Sequence, residues 1–256
     1  MTLDQRFAAE WAAESATSDP DLLPSALARV CARVLSFDAA GLSLHGVGDN
    51  RVPLGASDPE AAIAERLQFT HGQGPCFQAM EEGRAVLVTR DKWEQLWPVL
   101  AAEHFARTSF HAGLAVPLRA GSSRFGVLDL YTRSATSTAD AATVIDAQVV
   151  ASLVTTVLQE VLTSAAEGRS EQQDQHDPVG AALGGPSWLS SPAALRRQQV
   201  WVATGMTGML LGLSNDDALS VLRAHAFVAS RELDDLADDV VHHRFDLQVL
   251  QDNQLS

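Results

Sequence analysis

Two apolar runs, FHAGLAVPL (Phe110–Leu118) and RFGVLDLYT (Arg124–Thr132), are joined by the short loop RAGSSR, and this pair constrains the fold more than any other stretch. Apolar runs of this length, separated by a glycine-containing loop, read as two antiparallel strands of one hairpin. A hairpin cannot stand alone in water, so the chain must bring further strands or helices to cover it. The sequence supplies both. Ahead of the hairpin, AAGLSLHG (Ala39–Gly46) reads as a strand with Leu42 and Leu44 inward, followed by a GDN turn and a partner strand in RVPLGAS. AVLV (Ala85–Val88) is a further short buried strand. The helices come before and after. Leu23, Leu27, Val30 and Val34 form an apolar seam, and Phe7 and Trp11 a shorter stripe that Pro20 and Pro24 separate from it. DPEAAIAERLQF is a helix with Ser57 or Asp58 as N-cap and Pro59 in its first turn. PCFQAMEE follows a glycine-rich turn, and KWEQLWPVLAAEHF is a helix or a pair of turns. After Thr138, Ala147, Ala151, Val154, Leu158, Val161 and Ala165 mark a long helix, and Val150, Leu153 and Val157 widen its apolar face.

The composition changes beyond that helix. Residues 167–191 are rich in Gly, Pro, Ser and Gln and read as a linker, with Trp188 near its end. From Pro192 onward all signals are helical. VWVATGMTGMLLGLS carries Gly205 and Gly208 inside a helical pattern, where each glycine costs about 0.5–1 kcal/mol relative to alanine. Something must approach that helix closely, or the segment is not helical. Gly212 fits a helix stop, Ser214 and Asp217 a capping pair, and Ser230 an N-cap before Leu233, Leu236, Ala237, Val240 and Val241. Asp234, Asp235, Asp238 and Asp239 read as a solvated acidic face.

The C-terminal module resembles the ANTAR family of RNA-binding transcription antiterminators. ATGM (Ala203–Met206), LGLSNDDALSVLRAHAF (Leu211–Phe227) and RELDDLADDVV (Arg231–Val241) carry that resemblance. It implies a protein dimer that binds tandem hexaloop RNA hairpins and favours an antiterminator over a terminator. Unstacked loop bases are the usual target of sequence-specific RNA readers. The implied contacts are Arg196, Arg197, Thr204, Gly205, Arg223 and Arg231. The family often places a lysine where this chain has Thr204, and from Arg196 to Arg244 five Arg face seven Asp or Glu. The middle region resembles a GAF domain, through HGQGPCFQAM (His71–Met80), GLAVPL (Gly113–Leu118) and FGVLDLYT (Phe125–Thr132). That resemblance implies a signal or small-ligand site between sheet and capping helices, with Phe69, Cys76, Phe77, Phe110, Leu114 and Asp129 as its wall. A filled core is the competing reading of the same residues.

The expected architecture is α+β: a GAF-like antiparallel sheet flanked by helices, then an all-α three-helix ANTAR bundle. Residues 1–166 form the N-terminal helices and sensor, 167–191 the linker and 192–248 the RNA-binding module. Cys76, at the start of a short helix, is either a small buried hydrophobe or a thiol of lowered pKa sensing a redox signal. With Cys31 as the only other cysteine, no disulfide framework or zinc spacing arises. His45, His71, His104 and His111 show no metal spacing, and no cofactor motif appears, neither the cyclic-nucleotide pattern nor the Cys-His pair that attaches bilins. The formal charge of −14 disfavours nonspecific nucleic-acid or membrane binding. The N-terminus lacks a signal-peptide pattern, so a cytoplasmic, non-enzymatic, homodimeric regulator is expected. A protein-interaction module without RNA binding and a GAF thiol enzyme are the alternatives.

Overall fold

The computed structural model describes residues 1–45, 51–134, 140–172 and 192–252. The expected linker falls largely outside these, including Trp188. Five strands form one antiparallel sheet in the order β2-β1-β5-β4-β3: β1 Ala39–His45, β2 Arg51–Ala56, β3 Val86–Val88, β4 Ala112–Ala120 and β5 Ser123–Thr132. The expected hairpin is β4–β5. Its turn is tighter than the sequence loop, because Gly121 takes φ of 61° and lets pairing continue to Ala120 and Ser123.

One face of the sheet carries α1 (Leu3–Ser15), α2 (Leu23–Leu35) and α7 (Ala141–Gln172). The seam residues Leu27, Val30 and Val34 pack there with Ala147, Val150, Ala151, Val154 and Leu158 of α7. By length and composition, the Ala141–Val161 part of α7 is apolar enough to cross a membrane, with 33% of it buried in this structure. α7 continues to Gln172, beyond the residue where the linker was expected to start. The other face carries α3 (Pro59–His71), α4 (Pro75–Glu82), α5 (Arg90–Leu96) and α6 (Pro98–Arg107). Asp58 is the N-cap of α3, accepting from the N–H groups of Glu60 and Ala61 at 2.9 and 3.0 Å. Trp97 and Pro98 divide the KWEQLWPVLAAEHF stretch into two helices.

The C-terminal helices are α8 (Pro192–Leu211), α9 (Asn215–Val228), α10 (Leu233–Val241) and a short α11 (Gln248–Asp252). Ser214 caps α9 through the Asp217 N–H at 3.2 Å. Ser230 does not cap α10. It adopts φ of 50° in the turn, and Glu232 takes the N-cap position without a side-chain cap bond. Leu219, Leu222, Leu233, Leu236, Ala237 and Val240 pack against Val200 and Ala203. The same cluster contains Phe69 of α3, so these helices sit on the sheet-bearing half and not apart from it.

Candidate functional site

A buried polar cluster lies between the sheet and α3. Arg51 enters from β2 and is fully buried. Its Nη1 donates to the Glu65 carbonyl at 2.8 Å, its Nη2 to the Glu65 carboxylate, and its Nε to Ser43 Oγ at 3.3 Å. Tyr131 of β5 donates its hydroxyl to Glu65 Oε1 at 2.6 Å and accepts from Gln68 Nε2 at 2.9 Å. Gln68 in turn accepts from the Cys76 N–H at 3.0 Å, which ties the start of α4 to α3. Gly41 makes room for this: a Cβ there would lie 2.5 Å from the Glu65 carboxylate. Asp129 Oδ2 is 3.7 Å from Arg51 Nη2 and accepts no hydrogen bond. Burial and the adjacent Glu65 carboxylate push Asp129 well above the usual carboxylate range. One guanidinium thus neutralises Glu65 while Asp129 is held toward its neutral form. That leaves two buried carboxyl groups on the inner face of the sheet.

The six sequence-expected wall residues do not all share this place. Cys76 and Asp129 belong to it, and Phe77 lies below Arg51, 5.9 Å from guanidinium to ring centre. Phe110 joins through Tyr131, the rings stacked at 5.0 Å. Leu114 does not. It pairs with Leu130 and points to the α2–α7 face, because successive strand residues alternate and Ala115 takes the inner side. Phe69 also turns elsewhere, toward the C-terminal helices. Cys76 is fully buried, the environment of a small hydrophobe. Desolvation raises its thiol well above the ordinary value, outweighing the nearby Arg51 and leaving no reactive thiolate. Cys31 is likewise buried and shifted upward.

Arg51 and Glu65 were not singled out from the sequence. Fourteen positions apart, on an edge strand and a helix, they carry no local spacing signal. The only hint was an arginine opening an otherwise apolar strand. Among the described residues, no group of three His, Cys, Asp or Glu is placed to hold a metal.

Of the expected RNA contacts, Arg197 and Arg223 meet this half of the molecule directly. The Arg197 guanidinium stacks on the Phe69 ring, 3.3 Å from its centre, and is 1% exposed. Asp234 faces it at 3.3 Å, so this aspartate is buried and not part of a solvated face. Arg223 lies 5.1 Å from the same ring and donates from Nε to the Phe69 carbonyl at 3.2 Å. Trp201 meets Phe69 edge-on at 5.9 Å. Glu232 binds Arg66 at 2.9 Å and also Arg107. Thr204 is buried, its hydroxyl donating to the Val200 carbonyl at 2.7 Å. In this arrangement Thr204 and the face of Arg197 stacked on Phe69 are closed to RNA. Arg231 is tied to Asp239 at 2.6 Å. Arg196 is the exposed cation of the set, 3.7 Å from Asp235. Gly205 has no atom within 4 Å of where its Cβ would stand, whereas a Cβ on Gly208 would lie 3.1 Å from the Leu213 carbonyl.

Comparison with known proteins follows the same division. None of the curated proteins compared matches the chain. Solved structures similar to it include the free methionine-R-sulfoxide reductase of Neisseria meningitidis in complex with its substrate. That match has 18% identity and a TM-score of 0.42, covering 60% of this chain and 86% of that one. The GAF domain of a phosphoenolpyruvate-protein phosphotransferase from Coxiella burnetii gives 11% identity, 64% and 96% coverage and a TM-score of 0.47. The GAF domain of a putative sensor histidine kinase from Pseudomonas syringae pv. tomato gives 18%, 64%, 92% and 0.41. The family model for the GAF domain matches residues 17–159, which hold the whole sheet and the Arg51–Glu65–Asp129 cluster. The chain belongs to the GAF domain family.

Proposed function

We propose that this chain is a signal-responsive regulator whose GAF domain restrains a C-terminal RNA-binding module, released to bind tandem hairpin loops and prevent transcription termination. The observation that carries the reading is Arg197. A cation implied to touch RNA is instead stacked on Phe69 of the GAF half, next to Gln68 in α3 and four residues on from Glu65 of the buried cluster. A change at the cluster therefore reaches the module through one helix. Gly205 adds support. It weakens α8, and among the described residues no atom lies within 4 Å of where its Cβ would stand, as expected if it leaves room for an external partner. The exposed Ile145 and Val149 of α7 supply an apolar face for the homodimer that two hairpins require.

The test is anisotropy of a labelled tandem-hexaloop RNA at about 150 mM salt, where weak nonspecific binding is screened. The full chain is compared with Glu232→Lys, which breaks the clasp to Arg66 and Arg107. The expected result is weak binding by the wild type and tight binding by the variant, with light scattering reporting a dimer. Absence of binding in both removes RNA as partner. The acidic balance of the module then favours a protein-interaction role.

A further inference from the structure

The seam between the GAF half and the C-terminal helices holds a cavity of about 620 Å³, a size suited to a small ligand. Its apolar wall comes from Leu22 ahead of α2, Leu54 of β2 and Ala62 of α3, and its far side from Arg197 and Asp234. Most charges around it are already engaged. Arg29 binds Glu14 at 2.7 Å, and Arg66 binds Glu232 at 2.9 Å. Glu65 is held by Arg51 and Tyr131, and Asp58 caps α3. Arg197 is engaged only in part, through Nη2 to Asp234 at 3.3 Å and its face on Phe69. Among the described residues, its Nε and Nη1 have no hydrogen-bond partner, although the side chain is buried. Unpaired buried donors are costly, and the more so on a charged group. Arg51, Arg223 and Arg66 add like charge, which Asp234 offsets in part.

We propose that this seam cavity binds a small organic monocarboxylate, its apolar body against Leu22, Leu54 and Ala62 and its carboxylate accepting from Nε or Nη1 of Arg197. A single negative charge fits better than a phosphate dianion, because Asp21, Asp58 and Asp234 also border the space. The cavity is distinct from the buried Arg51 cluster; Glu65 alone borders both. Because its wall comes from both halves, a bound carboxylate stabilises the docked arrangement and works against release of the module. The site itself does not depend on RNA being the module's partner.

Calorimetric titration of the full chain with octanoate and phenylacetate tests this, beside octanol and inorganic phosphate. The carboxylates are expected to saturate one site, with octanol and phosphate weaker by about tenfold or more. Arg197→Gln should lose about tenfold in carboxylate affinity. Ala62→Phe, which puts a ring where the ligand's apolar body would lie and leaves Arg197 in place, should lower affinity by about tenfold or more while the thermal midpoint holds. No binding of either carboxylate to the wild type overturns the proposal. So does equal binding of octanol, or wild-type affinity in a folded Ala62→Phe protein. None of these readouts involves RNA, so failure here and failure of RNA binding are separate results.

Discussion

Gly205 and Gly208 lie about one turn apart on α8, yet a methyl group added at each meets different surroundings. At Gly205 it meets open space, so Gly205→Ala should raise stability by about 0.5–1 kcal/mol through helix propensity alone. At Gly208 it would press on the Leu213 carbonyl, and Gly208→Ala should lower stability by about 1 kcal/mol. Urea melts of the two variants check the pair, and a loss of stability in both would mean α8 is packed differently. The sequence showed that two glycines interrupt a helix but not which of them the fold requires. Spacing along one helix carries no record of where the chain returns after Gly212. The same blindness explains Leu114 and Asp129, which differ by strand face alone. A register set by β1 and β3 decides that face.

At the level of elements, the strands and helices were readable because their signals are local. Asp58 and Pro59 start α3, Ser214 starts α9, and Pro98 splits α5 from α6. The exception is α10. Ser230 looked like a cap but is used in a left-handed turn, and Glu232 at the cap position spends its carboxylate on Arg66 and Arg107. No local rule foresees that use, since its partners lie more than a hundred residues earlier. Glu232 is the residue that ties α10 to both α3 and α6. Glu232→Lys should replace two attractions with two repulsions and increase amide exchange in α8–α10 by about tenfold or more, leaving β1, β4 and β5 protected. Exchange mass spectrometry decides this; unchanged protection of α8 would show that the Phe69 contacts alone hold the module.

For the whole molecule, buried titratable groups set opposite limits. His45 is held down to about 3 by burial and Arg51, and His104, stacked on Trp93 at 4.4 Å, to about 4 by burial. The unfolded chain takes up protons near pH 6.5 that the folded one refuses. Their contribution to stability is therefore full above about pH 6.5 and declines as the pH falls toward 4. Asp129 acts the other way. Its folded pKa is raised, so what it contributes is full at acid pH and is lost as pH rises through the folded value. The stability profile should peak between these limits. His104→Gln is expected to flatten the acid side and Asp129→Asn the neutral side, read from urea melts at several pH values. A profile that neither variant changes would place the control of stability outside these groups.

β2 is an edge of the sheet, and α8 runs beside it. An uncovered edge offers unpaired backbone groups to any other extended chain. Were the C-terminal helices to leave as proposed, the protein would expose a template for β-pairing along with that surface. Pro53, which has no N–H to offer, blunts that edge but does not remove it. In the proposed switch the released form would carry a risk of self-association that the docked form does not, so brief release would serve a cell better than sustained release.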